Sequence, residues 1–241
     1  MAKFLLYLCI MTSLFAQKGI LIPFYHYPQI EDEEVQRLIE YKQRYSDVPI
    51  IVIVNPNNGD FSRLEYNFAS MIEHLHEANI SVVGYIYTSY AKRPLQEVAD
   101  RIQAWAKIYR PFGVDGIFVD EVNGSERNFE YYCDISKKIA RYFHLTIFNP
   151  GIEAPALHSL ADIVVMHENS SILAPPSDSN KSALLLHSVK DLEAYRPFFN
   201  YFEYIYVTPS TLPNPWKELS SYLPKLLERF HKSPKISKNI K

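Results

Sequence analysis

Three carboxylates end two short apolar runs, and they are the residues best placed to do chemistry. Asp120 and Glu121 close the stretch Gly113-Val-Asp-Gly-Ile-Phe-Val-Asp-Glu121. Glu168 follows Asp162-Ile-Val-Val-Met-His167. An unpaired charge is too costly to bury in a core, so these acids belong where the chain leaves a sheet. In parallel α/β folds that end is where ligands bind. Two carboxylates facing each other across a cleft suit glycosidic bond cleavage. One protonates the leaving oxygen, and the other stabilises or attacks the anomeric carbon.

Other polar and aromatic residues fall at the ends of apolar runs in the same way. They are Tyr25, His26 and Tyr27, then Asn55, Tyr85 and Tyr87, then Asn149, His167 and His187. Flat tyrosine rings suit stacking on sugars, and asparagines suit hydrogen bonding to hydroxyls. Each also has a plain structural explanation. Asn55 and Asn149 precede prolines and serve equally as turn residues, His187 as a rim histidine, and Tyr87 as packing. The acids are harder to explain that way, because they end two separate strands. We assign Asp120 as nucleophile or charge stabiliser and Glu168 as general acid/base. Glu121 would orient substrate or tune a neighbour. A loop over Ser171–Asn180, with Pro175-Pro176, is a candidate lid over Glu168.

The elements that must position these residues alternate. Gly19–Tyr25, Pro49–Val54, Ile80–Tyr87, Gly116–Val119, Leu145–Phe148, Asp162–Met166, Ser182–Leu186 and Tyr204–Val207 read as strands. Pro49-Ile-Ile-Val-Ile-Val54 is the continuous β-branched run of a strand buried on both faces. Helical patterns lie between them. They cover Glu31–Tyr45 and Leu64–Ala78, a run opened by Pro94, and a run from a Ser125 cap to about Phe143. A short piece follows at Ala154–Leu160, then a run from an Asp191 cap to about Phe202. A last helix is opened by Pro215-Trp216 and ends near His231. Eight strands alternating with helices predict an α/β fold, a single-domain (β/α)8 TIM barrel over residues 17–231. An open doubly wound sheet is the competitor.

Composition is globular rather than disordered. The net charge of -2 offers no argument for nucleic acid or an anionic membrane. Lys3 followed by the apolar run Phe4–Phe15 and Ala16 predicts a signal peptide over residues 1–16, and hence a secreted or periplasmic protein. That run is too short for a comfortable membrane span, so no integral span is expected in the mature chain. Cys133 would then be the only cysteine left, so no intramolecular disulfide is available. The lysine-spaced residues 232–241 read as a solvated tail.

Val83-Gly-Tyr-Ile-Tyr-Thr-Ser-Tyr90 followed by Gly113–Glu121 resembles the spherulin 4 family of barrel glycoside hydrolases. Val54-Asn-Pro-Asn-Asn-Gly59 is similar to that family's Asn-Pro-Asn-Ser-Gly loop, with Asn58 and Asp60 standing where Ser and Pro are usual. Asn149-Pro-Gly151 and Glu168 also fit, and the resemblance runs from about Ile20 to Val207. It implies cleavage of α-1,4-linked galactosamine or N-acetylgalactosamine polysaccharide, with Asp120, Glu121 and Glu168 as functional acids, a retaining mechanism and no cofactor. Two other readings stay open. A metal-dependent hydrolase would gather His26, His167 and His187 with Asp120, and a non-catalytic barrel would bind carbohydrate without cleaving it.

Overall fold

The computed structural model describes residues 18–177 and 181–231. The expected signal peptide and the lysine-rich tail lie outside the described residues. Eight parallel strands close into a barrel in strict sequence order: β1 (Gly19–Phe24), β2 (Ile50–Val54), β3 (Ser81–Tyr87), β4 (Val114–Asp120), β5 (Leu145–Phe148), β6 (Ile163–Asn169), β7 (Ser182–Leu186) and β8 (Tyr204–Val207). The barrel, rather than the open sheet, is the fold. Every residue of β1, β2 and β7 is buried. Such strands face side chains inside the barrel and helices outside it, which is why they read as unbroken apolar runs.

Among the described residues five α-helices accompany the strands: α1 (Glu33–Arg44), α2 (Tyr66–Glu77), α3 (Leu95–Ile108), α4 (Phe129–Ile139) and α5 (Leu223–Phe230). The start of α1 bears on the site. The Asp32 carboxylate accepts the backbone N–H groups of Glu34 and Val35 at 3.0 and 3.2 Å, a cap worth about 1 kcal/mol. Its other oxygen meets His26 Nε2 at 2.6 Å, tying the end of β1 to the helix. Behind β3, Trp105 of α3 packs so closely that a Cβ on Gly84 would come within 2.4 Å of its ring. The indole N–H reaches the Tyr85 carbonyl at 3.0 Å.

Several helices differ from the sequence pattern. Ser125 makes no side-chain cap. A 3-10 turn over Glu126–Asn128 precedes α4, which stops at Ile139 rather than Phe143. Residues Glu193–Tyr201 form 3-10 turns, because Pro197 lies inside the run and has no N–H to donate. The last helix begins only at Leu223, which leaves Pro215-Trp216 in a loop at the barrel mouth.

Candidate active site

β4, β5 and β6 are consecutive in the barrel, and their carboxyl ends bring Asp120, Asn149 and Glu168 side by side. The Asn149 side-chain nitrogen donates to both acids, to Asp120 Oδ1 at 2.8 Å and to Glu168 Oε2 at 2.6 Å. The two near oxygens therefore lie within two hydrogen-bond lengths of each other. Asn149 is itself held in place. Its side-chain oxygen accepts the Gly151 N–H at 3.0 Å, and its backbone N–H meets the Val119 carbonyl at 2.8 Å. On β6 the ladder to β7 slips between Val165 and His167, a bulge that re-aims the strand end just before Glu168.

Asp120 takes two further hydrogen bonds, from the Tyr85 hydroxyl at 2.9 Å and from the Glu121 backbone N–H at 2.8 Å. Burial nevertheless pushes its carboxyl above the usual range, with these three donors and the Glu121 charge acting as smaller influences. Burial also raises Glu168, and the charge of Asp120 adds to the shift. The Asn149 hydrogen bond and the neighbouring Trp216 only partly offset them, and the group reaches about 7. Tyr25 and Tyr85 are raised by burial first and by the acid charges second, so both hydroxyls stay protonated.

Glu121 turns away from the strand. Its φ of 51° lies in the left-handed region, and its carbonyl accepts the Thr88 hydroxyl at 2.7 Å and the Tyr90 N–H at 2.8 Å. A non-glycine residue there costs roughly 1–2 kcal/mol. That bend lets two adjacent acids leave the strand in different directions. Ser89, Tyr90 and Ala91, beside it, also have positive φ.

Glu168 opens into a cleft of about 560 Å³ walled by Tyr25, Tyr85, Asn55, His187 and the loop Leu212–Trp216. Trp216 is fastened there, because its backbone carbonyl accepts the Tyr25 N–H at 2.9 Å. Its ring lies 6.0 Å from His187, edge to face. No described residue of Ser171–Asn180 lines this cleft. That loop is tied outward, from the Ser177 N–H to the Glu153 carboxylate. The cleft wall beside Glu168 includes Trp216, and the described part of the expected lid does not reach it. Pattern reading missed Trp216 because it was assigned to a helix. The prolines at 209, 213 and 215 were the available signal for a loop.

The remaining expected residues are spread around the rim. His26 is engaged with Asp32 and lines an adjoining cleft. His167 Nε2 meets the Ser171 carbonyl at 2.6 Å. His187 Nδ1 meets its neighbour Ser188 at 3.0 Å. Among the described residues no three His, Cys, Asp or Glu side chains cluster as a metal site would require. The Tyr87 hydroxyl reaches Asp60 at 3.3 Å, and its ring lies under Arg93 at 4.3 Å. A larger hollow, about 630 Å³, sits at the other end of β4 from Asp120, beside His76, Asp115 and His144.

Comparison with known proteins agrees with this architecture. The model of spherulation-specific family 4 matches residues 19–230. Spherulin-4 of Physarum polycephalum is 30% identical over 178 residues, covering 68% of this chain. The chain spans about half the length of that relative, 51%. Among solved structures, Aspergillus clavatus Sph3 in complex with GalNAc superimposes with a TM-score of 0.78 at 20% identity. The match covers 90% of this chain and 99% of the other. With its family model matched over nearly every described residue, the chain belongs to spherulation-specific family 4.

Proposed function

We propose that this protein is a glycoside hydrolase that cleaves α-1,4-linked galactosamine or N-acetylgalactosamine polysaccharide. The observation that carries the reading is the Asn149 amide joining Asp120 to a Glu168 carboxyl raised to about 7. A general acid must hold its proton near neutral pH, and burial beside a second carboxylate is the physical way to arrange that. Glu168 then donates to the leaving oxygen. Asp120, already surrounded by three donors, is the acid better able to carry charge, and it attacks or stabilises the anomeric carbon. Two near oxygens within two hydrogen bonds fit the separation of about 5–5.5 Å for retaining chemistry better than the roughly 6.5–9.5 Å of an inverting site.

The sugar class comes from the family resemblance, and the GalNAc bound to the Aspergillus clavatus relative is consistent with it. Tyr25 and Trp216 supply ring surfaces at the cleft, and Asn55 and His187 supply polar edges. The test is release of reducing ends from galactosamine-rich polymer by the purified protein. Binding without release would leave a carbohydrate-binding barrel. We also read the protein as exported, on its first 16 residues. N-terminal sequencing of the extracellular or periplasmic fraction should begin near Gln17. Among the described residues no helix is long and apolar enough to cross a membrane.

A further inference from the structure

A second cleft, about 520 Å³, adjoins the acid cleft on the β1–β2 side and shares Tyr25, Asn55 and Asn57 with it. At that shared wall the side-chain oxygen of Asn55 is buried and has no hydrogen-bond partner. Its amide nitrogen finds only Asn58 Oδ1, at 3.5 Å. Leaving a buried acceptor unpaired is costly, and the wall that creates this one is itself strained. Asn57, Asn58 and Gly59 are three successive residues with φ of 49°, 53° and 73°. Only glycine fits at position 59, where a Cβ would come within 2.3 Å of the Tyr85 carbonyl oxygen. Beyond Asn55, Tyr27 is 55% exposed. Its ring stands edge-on to Phe68 at 5.4 Å, and its hydroxyl lies 3.3 Å from Glu65. Asp60, on the same wall, is already committed to Arg93 at 2.6 Å.

We propose that this cleft is a second sugar subsite, occupied by the next hexosamine unit of the chain whose neighbour lies against Glu168. The Asn55 amide, held only by the 3.5 Å contact to Asn58, turns its enclosed oxygen to the junction and accepts a hydroxyl or amide hydrogen from the bound chain, and the Tyr27 ring supports the face of the outer unit. The proposal rests on the hydrolase reading of the acid cleft. It adds the direction in which the polymer runs, from Glu168 toward the ends of β1 and β2.

The experiment measures affinity against chain length in the Glu168→Gln protein, using galactosamine and its α-1,4-linked trisaccharide. The trisaccharide is expected to bind on the order of tenfold more tightly than the monosaccharide. Tyr27→Ala and Asn55→Ala, each added to Glu168→Gln, should remove most of that gain. A thermal melt of each variant confirms that the barrel is intact. A trisaccharide that binds no better than the monosaccharide overturns the subsite, and so does a gain that survives both substitutions. Failure of the hydrolase reading looks different. If wild-type protein releases no reducing ends yet the Tyr27- and Asn55-dependent gain is present, the subsite stands and the catalytic assignment falls. If reducing ends are released without the gain, the catalytic assignment stands and the subsite falls.

Discussion

The two sides of the barrel mouth are built on opposite plans. On the β4–β6 side the groups that join the two acids are engaged with one another. Asp120 has three donors, and Asn149 uses both ends of its amide. On the β1–β2 side the wall is a left-handed run of Asn57, Asn58 and Gly59, and Asn55 keeps a buried oxygen unpaired. The first side is complete without substrate, as preorganised chemistry requires. The second becomes complete only when something donates to it. Substitutions on the acid side should therefore change the rate of bond cleavage, and those on the other side should change binding.

The largest expected effect is that of Asp120→Asn. Removing the charge that meets the anomeric carbon should lower kcat by at least roughly 10³-fold on every substrate. Retention of more than a tenth of the activity would break the assignment of the acid side.

Glu168→Gln should cost about 10²–10⁴-fold on polymer, the usual worth of a general acid, and far less on an aryl glycoside whose leaving group needs no proton. In the wild type, kcat/KM on polymer should fall as pH rises through about 7, where Glu168 gives up its proton. The same shift has a cost in stability. The folded pKa lies above the ordinary glutamate value of 4.5. As pH rises from about 4.5 to 7 the unfolded chain therefore releases this proton while the folded chain keeps it. Stability falls across that window, by on the order of 3 kcal/mol once pH exceeds 7. Glu168→Gln should accordingly melt higher than wild type at pH 8 and no higher at pH 4. A variant that loses activity and is also less stable at pH 8 would show that Glu168 is not a strained acid.

Asn149→Ala sharpens the comparison further. Its hydrogen bonds hold both carboxyls lower than burial alone would leave them. Without it, the alkaline limb of the pH profile should move above its wild-type position while turnover falls. An unmoved limb would mean that the bridge orients the acids without tuning them.

On the binding side, Trp216→Ala should raise KM roughly tenfold with a smaller change in kcat, the sign of interactions made equally in ground and transition states. The nearness of Trp216 to Glu168 adds a second readout, because its loss removes an influence that lowers that carboxyl. The pH limb should rise slightly. A fall in kcat as deep as that of Glu168→Gln would place Trp216 on the chemical side of the comparison.

What was legible in the sequence follows the same division. The barrel could be read because strands buried on both faces are unbroken apolar runs, and β2, Ile50–Val54, is the clearest case. The acids could be read because Asp120 and Glu168 end such runs. Trp216 could not, because its place depends on a backbone hydrogen bond to Tyr25, nearly the whole chain away. The bridging of two acids by Asn149 was equally hidden. As a residue type before a proline it looks like any turn asparagine, and only the adjacency of β4, β5 and β6 gives it two carboxylates. The left-handed turn at Asn57–Gly59 is announced by its residue types, since Asn and Gly tolerate positive φ, whereas those at Ser89–Ala91 and Glu121 leave almost no pattern. They are imposed by the surrounding packing, such as the close approach of Gly59 to Tyr85.

Tyr87 gives the smallest and most discriminating test. From sequence it belongs with Tyr25 as a groove residue whose loss should raise KM. The structure surrounds it with protein partners instead: Asp60 at its hydroxyl and Arg93 over its ring, with Arg93 also bridging to Asp60. A half-exposed cation–π contact is worth roughly 0.5–1 kcal/mol, and the 3.3 Å hydroxyl contact adds little. Tyr87→Ala should therefore cost about 1–2 kcal/mol, a drop in Tm of several degrees for a domain of this size. Arg93 also receives the Tyr131 hydroxyl on its backbone carbonyl at 2.7 Å, so the loop after β3 keeps an anchor without Tyr87. The kinetic constants should stay within about twofold of wild type, because neither cleft is lined by this ring. A rise in KM of about tenfold with Tm unchanged would move Tyr87 into the groove. The binding side would then extend past β2 to the end of β3, and the boundary between the two sides of the mouth would lie between Tyr87 and Asp120.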